Sequence, residues 1–170
     1  IDTQFNEKVY FHAWVDYYNM LDPNIPLKAS DFYHGTEVTS IIVDGPHANP
    51  DIDDGCGRFR VRHFGVATDG PVSSFSVLKM IRQIVSSNRD IKVWNLSLGS
   101  TMEIKENFIS PEAAELDRIQ SEYDVLFVVA GTNRPANETK TPMKIGSPAD
   151  SLNALVVNSV DFRKNSASYT

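Results

Sequence analysis

The sequence predicts an α/β domain of three layers, a mostly parallel sheet with helices on both faces. Three observations predict it. Short β-branched apolar runs alternate with segments of helical period, in the order strand, helix, strand, helix, strand. One run, "DVLFVVAG" at 124–131, is apolar almost throughout, as a parallel strand covered on both faces requires. The 170 residues, 41% hydrophobic and 22% charged, suffice for a substantial core and show no internal boundary, so 1–170 reads as a single domain.

In "DFYHGTEVTSIIVDG" (31–45), the spacing of Val38, Ile41, Ile42 and Val43 predicts a buried helix that begins near His34. "FRVRHFGV" (59–66) reads as a strand. "SFSVLKMIRQIVSSN" (74–88) reads as an amphipathic helix with Val77, Leu78, Ile81, Ile84 and Val85 on one face. "IKVWNLSLG" (91–99) is a strand running into a glycine turn. A helix follows over 110–123, where Ser110 is the N-cap, Pro111 takes the first helical position and the first turn is acidic. The strand at 124–131 comes next, and "ALVVNSVD" (154–161) is the last. Stretches 44–58 and 134–150 are rich in Pro, Asn, Asp and Gly and read as surface connections. In parallel sheets, ligands bind beyond the carboxyl ends of the strands, which puts the loops after Gly99 and Gly131 at the functional edge.

A net charge of −6 argues against a nucleic-acid partner. No apolar run approaches the roughly 20 residues that cross a bilayer, so no membrane partner is expected. Cys56 is the only cysteine and can form no internal disulfide. That cysteine and the lack of a visible export signal lean towards a cytoplasmic setting, with a secreted one left open. The opening "IDTQFNEKVYF" lacks the usual Met and suggests a trimmed chain or a fragment.

Three places carry chemistry: Asp2 in "IDT", His34 in "HGTEV", and the end of an apolar strand in "VVAGTNRPAN" (128–137), which holds Asn133. "NLSLGS" (95–100) lies between the second and third. A lone histidine at a helix start is often only a cap or a surface group. The set in its order, however, resembles the subtilisin-like serine proteases (subtilases). That family reads Asp-Thr/Ser-Gly, then His-Gly-Thr-His-Val, Met/Leu-Ser-Leu-Gly, and a hydrophobic strand ending Ala-Gly-Asn. Here "IDT", "HGTEV", "NLSLGS", "VVAGTN" and "VVNSVDFRKNSASYT" stand in that sequence, and the resemblance spans essentially the whole chain.

The resemblance implies a subtilisin-like fold and a serine endopeptidase. A serine hydroxyl is a poor nucleophile at neutral pH and needs a base. An imidazole suits that task, and a carboxylate on its other nitrogen fixes the tautomer and stabilises the imidazolium. By resemblance His34 is the general base, Asp2 orients it, and Asn133 is the oxyanion donor. The backbone of Ser97, Leu98 and Gly99 would pair with an extended peptide substrate. Val129, Ala130 and Gly131 would wall the pocket for the side chain before the cleaved bond.

The chain also departs from the family. No Gly-Thr-Ser-Met-Ala or close variant occurs, so the nucleophile is expected beyond residue 170, and the 170 residues by themselves are expected to be inactive. The implied object is the N-terminal portion of a catalytic domain, truncated at both ends. A second copy or another segment is then the expected cover for exposed apolar surface. Only Ile1 remains of the strand that delivers the aspartate, so Asp2 is expected to sit on a loose terminus. Asp22 and Asp31 are alternative orienting acids. Glu37 replaces the family's second histidine and suits the first helical turn. Thr132 is inserted before Asn133 and is the alternative oxyanion donor, although an amide N–H₂ matches the role better.

Other features point elsewhere less well. The acids of "NPDIDDGCGR" (49–58) break the EF-hand pattern, and Arg62 stands where its closing Glu belongs. His12, His47, His63 and Cys56 lack zinc spacing and read as ordinary polar residues. No cofactor is expected; the family resemblance allows calcium, but no residues match a calcium motif. Asn95-Leu-Ser and Asn137-Glu-Thr fit the glycosylation pattern, the first in a predicted strand. The competing reading is a non-catalytic α/β domain that binds peptides or small ligands at the same edge. A nucleotide-binding version is disfavoured because neither GxGxxG nor GxxxxGK[ST] occurs.

Overall fold

The computed structural model describes residues 1–53, 55–100, 103–131, 145–160 and 163–165. Among them, backbone pairing builds a mixed α/β fold with parallel strands, as the sequence predicts, although the pairing falls into two sheets rather than the one expected. The chain divides into two compact units, Ile1–Met80 and Ile81–Thr170.

In the first unit, strand β1 (Val15–Asn19) pairs with β2 (Val61–Gly65), from Val15 opposite Val61 to Asn19 opposite Gly65. The sequence reading missed β1. It is short, and its alternation of Val15 and Tyr17 with Asp16 and Tyr18 is brief. Alternation nevertheless decides its packing: Val15, Tyr17 and Val61 lie against a core of Phe5, Phe11 and Val43. Burying each phenylalanine contributes about 2–3 kcal/mol. Helix α1 (Tyr33–Ala48) buries Gly35, Thr39 and Val43, which recur at one spacing and so lie on one stripe. Ile41, expected inside, is exposed, because the stripe turned to the core starts at Gly35. The helix breaks at Asp44 (φ −147°, ψ 48°). Pro46 follows closely, and its ring conflicts with the carbonyl of Ile42. Tyr10 donates to the Asp44 carboxylate at 3.0 Å, and Arg58 pairs with it at 3.1 Å. The Arg58 contact holds that carboxyl below its ordinary pKa.

Helix α2 (Ser74–Ser87) runs from the first stretch of chain into the second. Val77, Ile81, Ile84 and Val85 are buried, and Leu78 is half-buried, as the helical period requires. In the second unit, β3 (Val93–Leu96), β4 (Leu126–Ala130) and β5 (Leu155–Val157) form a parallel sheet with β4 in the middle. Helix α3 (Pro111–Tyr123) starts as predicted: the Ser110 side chain accepts from Ala113 N–H at 3.1 Å, and Pro111 holds the first position. It stops at Asp124, whose left-handed φ of 53° caps the last turn. The buried Gln120 side chain accepts from Phe127 N–H at 3.0 Å, tying α3 to β4.

Two expectations need correction. The stretch 44–58 is not all connection, since α1 extends to Ala48 and a 3₁₀ turn covers Pro50–Ile52. Within 134–150, Ser147 and Ala149 are buried, and Ser100 N–H donates to Ser147 O at 2.8 Å. In the described part of that stretch, residues 145–150, polar residues are hydrogen-bonded to neighbours rather than uniformly exposed. The strands are also shorter than their apolar runs. In β4, Phe127 and Val129 are buried while Leu126 remains partly exposed, so one face of this strand has the better cover. Among the described residues, no helix is long and apolar enough to cross a membrane.

Candidate active site

Asp2 is the largest departure from the sequence reading. It is not loose: only 2% of its surface is exposed. Residues 1–3 run along the edge of β2 opposite β1. Asp2 N–H donates to Phe64 O at 3.1 Å, and Val66 N–H donates to Asp2 O at 2.9 Å. These ladder bonds and the buried side chain of Gln4 anchor the segment. Gln4 accepts from Tyr17 O–H at 2.6 Å and donates through Nε2 to Ala67 O at 2.8 Å. The carboxylate thus projects from the carboxyl end of β2.

The start of α1 is stitched to the same segment. Gly35 N–H donates to Thr3 Oγ1, Asn6 N–H to Thr36 Oγ1 and Gln4 N–H to Asp31 O, each at 2.9 Å. The first of these satisfies a helix N-terminal N–H that has no partner within the helix. Gly35 is required by the fit: a Cβ there would stand 2.7 Å from both Thr3 O and Gln4 O. The consequence is a close pair. His34 Nδ1–H donates to Asp2 Oδ1 at 2.5 Å. Thr3 N–H donates to the same oxygen at 2.7 Å, and Oδ2 is buried with no partner among the described residues.

His34 is half-exposed, 47% by side chain, while Asp2 is enclosed. The hydrogen bond to Asp2 raises the His34 pKa above its ordinary 6.5; burial opposes the rise, and the charges of Asp2, Glu37 and Asp69 add to it. With Nδ1 committed to Asp2, the neutral ring offers Nε2 as a base. Chemically this is a proton carrier whose cationic form is stabilised by a fixed carboxylate.

The alternative acids are occupied otherwise. Asp31 is buried and accepts from Lys28 N–H and Asp69 N–H, bonds that lower its pKa. Asp22 caps a local turn by accepting from Asn24 N–H. Glu37 lies just past the first turn of α1, which starts at Tyr33, and is exposed.

His63 reads from the sequence as an ordinary polar residue, and the structure buries it. It is 3% exposed and sits on β2 between the rings of Phe5 and Tyr17, with centroids 5.5 and 5.8 Å away. Burial lowers its pKa to about 4. The signal was present, because strand alternation puts His63 on the same face as Val61.

In the second unit, Ser97, Leu98 and Gly99 continue irregularly past the end of β3, with Gly99 exposed. They leave the sheet beside Val129, Ala130 and Gly131, because Leu96 pairs with Val129. Val129 is buried, and Ala130 is half-buried. Gly131 N–H donates to Val157 O at 2.9 Å, and its bare Cα faces the Asn158 side chain. Both segments thus stand at carboxyl ends of parallel strands. Asn133 and Thr132 lie outside the described residues. Among the described residues, no group of three His, Cys, Asp or Glu side chains is placed to hold a metal ion.

Comparison with known proteins bears on the family and the fold. The family model described as "Subtilase family" matches residues 3–170. No curated protein matches by sequence. Among solved structures, the prenylagaramide maturation protease PagA superposes with a TM-score of 0.65 at 19% identity, covering 99% of this chain and 55% of PagA. A serine-to-alanine mutant of the protease domain of PatA gives 0.68 at 14% identity, with 99% and 59% covered. The MycP3 protease from the type VII (ESX-3) secretion system gives 0.58 at 19% identity, with 100% and 54% covered. The chain therefore spans between half and three-fifths of the length of these structures.

Proposed function

Since the chain belongs to the subtilase family, we propose that its intact gene product is a serine endopeptidase with an Asp-His-Ser triad. Asp2 and His34 are two members, and the serine comes from chain following Thr170. Gly-Thr-Ser-Met-Ala does not occur among the 170 residues, and on this reading they are inactive alone. The single observation that carries the reading is the 2.5 Å hydrogen bond from His34 Nδ1–H to the buried Asp2 carboxylate.

In the proposed cycle, His34 Nε2 takes the serine hydroxyl proton as its oxygen attacks the scissile carbonyl carbon. The resulting imidazolium is stabilised by Asp2. Asn133 donates to the oxyanion, a contribution of about 3–4 kcal/mol. Collapse of the tetrahedral intermediate breaks the C–N bond, and His34 returns the proton to the leaving amine. Water, deprotonated by the same nitrogen, then releases the acyl group and restores the serine. The peptide substrate pairs with the backbone of Ser97, Leu98 and Gly99. The segment Val129, Ala130 and Gly131 bounds the pocket for its side chain.

A fluorophosphonate probe tests this on the intact gene product. Covalent labelling of one serine that disappears in His34→Ala supports the reading. No labelling, or labelling unchanged by His34→Ala, overturns it.

A further inference from the structure

Beside the Asp2–His34 pair stands a buried histidine that the proposed cycle does not use. The two nitrogens of its ring are held by different parts of the fold. On one side, His63 Nε2 lies 2.8 Å from Thr3 O. A carbonyl can only accept, so Nε2 carries the proton. On the other, His63 Nδ1 lies 2.8 Å from Thr39 Oγ1. In the neutral ring that nitrogen accepts, so the Thr39 hydroxyl donates. Thr39 is one turn along α1 from Gly35, on the same buried stripe. The imidazole thus bridges α1 to the carbonyl of the residue that follows Asp2. Thr3 is held at three points: its carbonyl by His63, its hydroxyl by Gly35 N–H, and its own N–H on Asp2 Oδ1.

We propose that His63 is a positioning residue for the Asp2–His34 pair, acting through Thr3 and Thr39 to fix the carboxylate against the helix that carries His34.

The proposal rests on the reading of Asp2 and His34 as the acid and base of a protease. An apolar side chain of similar size would fill the same space between Phe5 and Tyr17, yet it could not donate to Thr3 O. The carbonyl would then be buried without a donor, and Thr3 would be free to shift. Burial keeps His63 neutral, with a pKa of about 4, so its donor and acceptor nitrogens persist at pH values where His34 changes charge. A displacement of about 1 Å at a catalytic group can cost on the order of 10²-fold in rate.

The test compares three variants of the intact gene product. His63→Leu removes both polar contacts, His63→Gln restores an N–H within reach of Thr3 O, and Thr39→Val removes only the donor to Nδ1. Two readouts are taken: the ring ¹⁵N titration and the Nδ1–H proton resonance of His34, and kcat against KM on a peptide ester. The expected result for His63→Leu is a His34 pKa falling towards its ordinary value, an upfield shift of the Nδ1–H signal, and a kcat reduced by roughly 10–100-fold at unchanged KM. Gln recovers most of each loss, and Thr39→Val shows a smaller change of the same sign. If His63→Leu lowers the melting temperature but leaves the His34 resonance and titration in place, the proposal is overturned. It is equally overturned if Gln recovers nothing and Thr39→Val is silent. Should His63→Leu not fold, the Gln and Val variants decide by the same two readouts. Absence of any probe-reactive serine would sink the protease reading alone, because the His34 resonances report on positioning without turnover.

Discussion

Replacing Gly35 by alanine would push a methyl group into the seam between α1 and residues 3–4. Its carbon would stand 2.7 Å from Thr3 O, 2.7 Å from Gln4 O and 3.0 Å from the His63 ring. Ordinary contact needs about 3.5 Å, so the segment must retreat by roughly 0.8 Å. Two effects compete. Alanine is favoured over glycine inside a helix by about 1 kcal/mol. Overpacking costs about 1–3 kcal/mol, and the upper end applies because two of the three obstacles are backbone carbonyls that cannot rotate away. Overpacking wins by about 2 kcal/mol, which lowers the melting temperature by roughly 4–8 °C. The retreat also lengthens the 2.5 Å bond between Asp2 and His34. Thermal melting followed by circular dichroism measures the first effect, and a ring ¹⁵N titration of His34 measures the second. A variant that melts at or above the parent temperature, with the His34 pKa unmoved, would refute the reasoning.

Asp2→Asn removes the charge that favours the His34 imidazolium and allows the wrong tautomer. The His34 pKa should fall, and kcat of the intact gene product should drop by about 10⁴, read by ester hydrolysis. The rise of kcat/KM with pH should have its midpoint above 6.5, since Asp2 raises the His34 pKa and the base must be neutral. Stability should behave differently in acid. The folded pKa of His63 is depressed from 6.5 to about 4, so the unfolded chain binds its proton first. Stability from this group is complete above pH 6.5 and falls as pH drops towards 4. The loss is about 3 kcal/mol in all. Urea midpoints at neutral pH and near the folded pKa, compared between the parent and His63→Gln, isolate that loss. Ser110→Ala removes the α3 cap together with contacts to Asp150 and Ser147. It should cost about 1–2 kcal/mol in urea unfolding.

Periodicity made the long elements legible. Helices α2 and α3 begin at the predicted residues, because a continuous apolar face and a Ser-Pro start are local signals. Strand β1 escaped because its partner, Val61–Gly65, lies far along the chain and its own alternation is short. The site divides along the same line. Pattern makes His34 and Asp2 legible as candidates, but the anchoring of Asp2 depends on ladder bonds to Phe64 and Val66, which no local reading supplies. His63 lay in plain view on a strand. Only its surroundings, two aromatic rings and two oxygens from distant segments, distinguish it from a surface histidine.

The bonds on Thr3 also bear on the order in which the molecule matures. Those to Gly35 and His63 close loops with sequence separations of 32 and 60. Their entropic cost therefore arises only as α1 and then β2 take their places. A chain still short of β2 has the bonds from residues 3–6 to α1 and its approach, but lacks the ladder bonds of Asp2 to Phe64 and Val66 and the contact of His63 with Thr3. The full set of contacts that fixes the Asp2 backbone is therefore complete only once β2 is in place.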